Sequence, residues 1–247
     1  MRLVRVGRVR RALVFLLATA VLGASCTGDD EPAAGTGATD AGALRIFAAS
    51  SLEDVFRELA PDAEFRFGSS EELAEAALEG EVPDVFASAG QPSLAEVGAE
   101  GVLEPLTVFA TNRLVLVVPT EGSDAGSLAD LAGSPMLVGA ELEPVRSALE
   151  AIGEGELLEG AGFDPDAADR VASGSADAAL VYYTDALAAG EAVRVIELPA
   201  QALVEYPVAA ANVSENFEEA QAFVELLLSD RGRQALEEAG FALPPAG

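Results

Sequence analysis

The chain contains no lysine, no histidine and no tryptophan, and only one cysteine among its 247 residues. Without histidine, Ser-His-Asp triads, His-ligated metal sites and the commonest general base are excluded. A single cysteine cannot form an internal disulfide. No nucleophile motif and no Gly-rich phosphate loop appears, so the chain does not read as an enzyme and implies no cofactor. All 14 basic residues are arginines, set against 42 acids, for a net charge of −28. Arg2, Arg5, Arg8, Arg10 and Arg11 fall in the first 11 residues, which leaves nine basic residues against the 42 acids in the rest. Such a surface repels nucleic acid and anionic headgroups. The acids are scattered over helical polar faces, as in a solubilising coat. The alternative is a cation-binding surface. Asp164-Pro165-Asp166 and Gly28-Asp29-Asp30-Glu31 come closest to that, and neither has EF-hand spacing.

What is present begins with an export signal. The five arginines precede the apolar run Ala12–Leu22. Eleven residues are too few to span a bilayer, which takes about 20. Small residues follow, then Cys26, in Val21-Leu22-Gly23-Ala24-Ser25-Cys26. This order resembles a bacterial lipoprotein signal, with cleavage before Cys26 and lipid on it. Gly23 stands where that pattern prefers leucine. A simple cleavage site beside an ordinary cysteine is the alternative, and Arg10-Arg11 gives weak support for a twin-arginine signal. Residues 26–42 then read as a flexible tether.

From Leu44 onward strand and helix signals alternate. Leu44–Ala48 is an apolar strand. Leu52, Val55, Phe56 and Leu59 follow at helical spacing, and Pro61 ends that helix. Glu64–Phe67 alternates as a strand does, and a helix through Leu73, Ala76 and Ala77 stops at Gly80. Further strands are expected at Asp84–Ala87, Arg113–Val118, Met136–Gly139, Ala178–Tyr182, Val193–Leu198 and Tyr206–Ala211. Further helices are expected at Leu94–Gly98, Leu128–Ala132, Val145–Ile152, Thr184–Ala189, Phe217–Leu228 and Arg231–Ala239. Regular alternation of this kind implies an α/β fold with mainly parallel sheets.

Two serine pairs, Ser50-Ser51 and Ser69-Ser70, each lie where a strand turns into a helix. Ligands of open α/β sheets bind at that place. Helix N-termini carry unpaired N–H groups and a partial positive charge, so two of them with spare hydroxyls suit an anion without any basic side chain. Ser at a helix start is also the usual cap, and Ser50-x-x-Glu53, Ser51-x-x-Asp54 and Ser69-x-x-Glu72 fit capping-box spacing. Glu53, Asp54, Glu71 and Glu72 lie in the first turns and repel an anion unless they point to solvent.

Seven segments in order resemble the substrate-binding proteins of molybdate ABC transporters. They are Phe47-Ala-Ala-Ser-Ser-Leu52, Phe67-Gly-Ser-Ser-Glu-Glu-Leu73, Pro83-Asp-Val-Phe-Ala-Ser-Ala89, Phe109-Ala-Thr-Asn-Arg-Leu-Val-Leu-Val-Val-Pro119, Ser175-Ala-Asp-Ala-Ala-Leu-Val-Tyr-Tyr-Thr-Asp185, Glu205-Tyr-Pro-Val208 and Ala239-Gly-Phe241. The resemblance covers roughly Leu44 to Phe241. It implies a two-lobed periplasmic-binding-protein type II fold, each lobe a mostly parallel sheet flanked by helices, with the ligand cleft between lobes. On that pattern residues 1–25 are the signal peptide and 26–42 the lipid-anchored linker. Residues 43–110 and 205–247 form lobe 1, and 111–204 form lobe 2. The implied ligand is molybdate or tungstate, held by the hydroxyls of Ser51, Ser70 and Tyr182 and by a backbone N–H in the Glu143-Pro144-Val145 turn, assigned to Val145. Tyr183 has nearly the same claim as Tyr182. Ser50 and Ser69 are then caps, and Ser88 packs a strand end. The implied partner is an ABC transporter permease, for a monomer outside the cytoplasmic membrane tethered only through Cys26. Three departures stand out. Gly90 replaces the family's Asp, Glu143-Pro-Val-Arg-Ser147 replaces V-P-x-G-x-Y, and Ala161–Val171 offers no clear counterpart to a further backbone donor. They leave open a different oxyanion or small acid as ligand. Arg146, near the expected ligand turn, reads as solvated.

Overall fold

The structure is a computed structural model that describes residues 42–127, 130, 136–158, 161–199 and 202–244. The signal segment, Cys26, nearly all of the linker and most of the helix expected at Leu128–Ala132 lie outside the described residues.

The first half is built on β1 (Arg45–Ala49), whose last four residues are buried. One 3-10 turn at Ser50–Leu52 leads into α1 (Glu53–Leu59), which buries Val55, Phe56 and Leu59. β2 (Glu64–Gly68), α2 (Ser70–Leu78), β3 (Val85–Ala87) and α3 (Gln91–Ala99) follow. β1 lies between β2 and β3 and runs parallel to both. Asp84 pins this arrangement. Its carboxylate accepts the Arg45 N–H at 2.7 Å and the Asn216 amide at 3.2 Å, tying the start of β1 to a distant loop.

β4 (Thr107–Pro119) is a 13-residue strand that serves both halves. Its beginning pairs with β9 (Leu203–Ala210), across a register shift between Val108 and Ala110. Its end pairs with β7 (Ala179–Tyr182) and β8 (Val193–Glu197). The second half also holds β5 (Leu137–Val138), α4 (Leu142–Ala151), β6 (Gly162–Phe163), α5 (Ala167–Ala172) and α6 (Tyr183–Ala189). β9 brings the chain back beside β3, and α7 (Phe217–Leu228) and α8 (Asp230–Glu238) close it. The sheet order is β2-β1-β3-β9-β4-β7-β5-β6, with β8 on β4.

The fold is α/β, as expected, but the sheet is more mixed than the alternating pattern implied. β1–β2, β1–β3, β5–β6 and β5–β7 are parallel. Every antiparallel pair of strands described involves β4 or β9. Those two strands carry the chain between the lobes, so they run against the strands on either side. The lobe borders placed at 110/111 and 204/205 fall inside them.

The largest core cluster draws residues from β1, α1 and β9 as well as from α4 and β7. Phe56 packs edge-on against Phe223 at 5.2 Å between ring centres, and Tyr206 against Phe241 at 5.2 Å. Val145 and Leu149 of α4 and Leu180 of β7 belong to the same cluster.

Candidate functional site

Both serine pairs sit at the carboxyl ends of β1 and β2, which are neighbours in register from Arg45↔Glu64 to Ala49↔Gly68. Parallel pairing therefore delivers the two helix starts side by side. Within the second pair the roles divide. Ser69 has extended backbone, and its hydroxyl accepts the Glu72 N–H at 3.2 Å, so it caps α2. Ser70 is the first helical residue and is 1% exposed. Its hydroxyl accepts the Ala89 N–H at 2.8 Å. In the first pair, Ser51 Oγ and the Tyr206 hydroxyl share a hydrogen bond of 2.9 Å. Ser50 is exposed and caps nothing, contrary to its expected role. The chain enters a 3-10 turn after Ala49 rather than an α-helix, and no side chain caps that turn.

Across the cleft, Tyr182 ends β7. It is 3% exposed, and its hydroxyl has no hydrogen-bond partner. Its ring meets Tyr206 edge-on at 6.2 Å. Tyr183 is turned away, its ring covered by the Arg113 guanidinium at 3.7 Å. A cavity of about 450 Å³ separates the two sides, with Ser51, Ser69, Glu141, Phe163, Tyr182 and Asp185 in its wall. No basic side chain is among its lining residues. Arg146 is exposed and outside that wall.

Ser70 does not form part of the wall, because Glu141 covers it. The Ser70 N–H donates to Glu141 Oε2 at 2.8 Å, and its hydroxyl donates to Oε1 at 3.3 Å. Glu141 is the N-cap residue of α4 but makes no capping bond there; its carboxylate reaches over to α2 instead. Burial pushes its carboxyl up to about 7, against the two Ser70 bonds, and the nearby Glu72 and Glu71 add to the rise. Burial also raises Asp185 to about 6, partly offset by its backbone bond to Tyr182. The Tyr182 phenol is raised well above its ordinary value, chiefly by burial.

Val145 differs from its expected place. It is fully buried, and its N–H donates to the Glu141 carbonyl at 3.2 Å inside α4. The helix starts at Leu142, three residues earlier than the apolar spacing suggested, so this amide is spent within it. Glu141 and Asp185 are site residues that the sequence reading passed over. Asp185 closes the segment Ser175–Asp185, and Glu141 stands two residues before Glu143-Pro-Val-Arg-Ser147. Nothing in the spacing of either one says that a carboxylate turns into a cavity. Tyr206 had a signal in the inward alternation of Val204, Tyr206 and Val208.

Residues 44–242 match the family described as bacterial extracellular solute-binding protein. The chain belongs to that family. The solute-binding protein is 31% identical over 250 residues to the molybdate-binding protein ModA of Mycobacterium tuberculosis, spanning 91% of this chain and 94% of that protein. Its fold is shared with the periplasmic molybdate-binding protein of Azotobacter vinelandii, at a TM-score of 0.68 and 19% identity, covering 81% of this chain and 99% of that one. The cavity of this solute-binding protein thus has serine and tyrosine residues of both halves of the chain in its wall. Among the described residues no group of three or more Asp, Glu, Cys or His side chains is placed to hold a metal ion. Asp164, one of the acids considered for a cation, pairs with Arg170. No described helix is long and apolar enough to cross a membrane.

Proposed function

We propose that this solute-binding protein captures molybdate or tungstate between its lobes and delivers it to an ABC transporter permease. It is a carrier and not an enzyme, needs no cofactor, and works as a monomer outside the cytoplasmic membrane, held there by lipid on Cys26. The observation that carries the reading is the Tyr182 hydroxyl, buried without a partner beside a cavity that Ser51 also lines. A buried hydroxyl without a bond is costly, and an oxyanion supplies the missing acceptor. Hydroxyl and backbone donors replace an anion's hydration at about 1.5–3 kcal/mol for each bond to a charged oxygen. The similarity to ModA supports molybdate as the cargo.

Calorimetric titration of the chain from Thr27 onward tests this. Molybdate and tungstate are expected to bind tightly at 1:1 and to raise the melting temperature by mass action. No heat and no melting shift with either anion refutes it. A second reading, a different oxyanion or a small acid, is favoured by Glu141, since a carboxylate accepts the proton of an anion such as hydrogen phosphate. Competition among molybdate, tungstate, sulfate and phosphate separates the two.

A further inference from the structure

We propose that Glu141 is a tethered rival of the cargo, a residue that sets affinity by filling the Ser70 subsite while the cleft is empty. The inference rests on the oxyanion-carrier reading above.

Ser70 offers two donors at the start of the nine-residue α2, its N–H and its hydroxyl. Both are already engaged, one by each oxygen of the Glu141 carboxylate, at 2.8 and 3.3 Å. A carboxylate presents two anionic oxygens side by side, as one edge of a tetrahedral oxyanion does. Glu141 therefore makes the bonds expected of the ligand. It also screens Ser70 from the cavity, since Glu141 is in the wall and Ser70 is not. In the same cavity the buried Tyr182 hydroxyl is still unpartnered, so the two subsites are not equivalent. One half of the site holds its own anion, and the other half waits for one.

The charges around Glu141 make the occupancy exclusive. The acids that bear on it from α2 are Glu71 and Glu72, both exposed. Asp185 of α6 shares the cavity, and the hydroxyls of Tyr182 on β7 and Tyr206 on β9 lie close by. No arginine lines the cavity to neutralise a carboxylate and a dianion together. An incoming dianion must expel the side chain or find it protonated. Removing the Glu141 charge therefore strengthens binding, whereas removing a ligand residue weakens it.

The test is calorimetry on the wild type, E141Q and E141A at about pH 8, with molybdate, tungstate, sulfate and phosphate. Both variants are expected to bind molybdate about tenfold more tightly or better, the change that removing one close like charge produces. Equal or weaker molybdate binding by the variants overturns the inference and leaves the carrier reading standing. A selective loss of phosphate affinity also overturns it, because Glu141 is then an acceptor for a protonated ligand. If no form binds any of the four anions, the carrier reading falls and the inference with it. A second measurement needs no variant. Amide hydrogen exchange at Ser70 in the anion-free wild type is expected to be slow, and fast exchange there overturns the occupancy.

Discussion

Tyr182 and Ser70 are both buried and polar, yet they make opposite predictions when truncated. The Tyr182 hydroxyl has no partner to lose, so Y182F is expected to leave the empty protein as stable as the wild type or slightly more so. The same variant loses a donor to a charged oxygen, and molybdate affinity is expected to fall by about tenfold to a hundredfold. A melting curve and a titration on one preparation measure both. A tyrosine that merely fills the core gives no affinity change. Ser70→Ala strips the Ala89 N–H of its acceptor, so it is expected to cost about 1–3 kcal/mol of stability as well as affinity. Glu141 adds a pH dependence. Folded, it keeps its proton up to about pH 7; unfolded, it releases it near its ordinary value of 4.5. Between those values the folded state binds more protons, so stability falls as pH rises through the window and the full penalty is present above it. Asp185 acts with the same sign in a lower window, from its ordinary 3.8 to about 6. E141Q is expected to be more stable than the wild type at pH 8 by on the order of 2–3 kcal/mol and to differ little near pH 4. Urea titrations at the two values check this.

At the corner between α7 and α8 one glycine decides the packing. A Cβ on Gly232 would sit 2.1 Å from the Leu226 carbonyl oxygen and 2.7 Å from the Leu227 Cα, both backbone atoms that cannot swing aside. G232A is expected to lower the urea midpoint by the equivalent of about 2–4 kcal/mol with molybdate affinity unchanged, since the corner lies outside the cleft. These two helices were legible in the sequence because their apolar periods are long and α8 ends before Gly240. The strand–helix turns after β1 and β2 were legible for a related reason: the serines stand where an inward-facing strand pattern changes to a helical one. The start of α4 was not. Leu142 is exposed, so the apolar period only begins at Val145, and Glu141 is not a residue type that announces an N-cap. β6 and α5 were missed as well, with two and six residues being too short to show a period. Gly90 is a departure from the family pattern with a visible reason. Its φ is +84° as the chain turns from β3 into α3, a backbone conformation that glycine adopts without strain and a residue with a Cβ does not.

At the scale of the whole molecule, two fields of opposite sign act on an arriving anion. Beyond the first 11 residues 42 acids stand against nine arginines, and this excess repels a dianion at long range. The start of α2 beside Ser70 attracts it once the Glu141 carboxylate has swung aside, but a helix end is felt only within about its first turn. Capture outside the cleft is thus uphill, and capture inside is downhill. Salt acts on the first field and hardly on the second, because the Debye length shrinks from about 30 Å at 0.01 M to about 8 Å at 0.15 M, while the cleft contacts are shorter than either. Raising ionic strength is therefore expected to speed molybdate association several-fold and to leave dissociation nearly unchanged, the reverse of a cleft that steers its ligand with arginines. The chain carries its own probe for this. It has no tryptophan, and of its three tyrosines Tyr182 lines the cleft and Tyr206 packs against it and bonds Ser51. Stopped-flow tyrosine fluorescence at low and physiological salt reads both rate constants. An association rate that falls with salt means that the helix ends reach further than the surface charge, and that the acidic coat has no part in setting how fast the cleft fills.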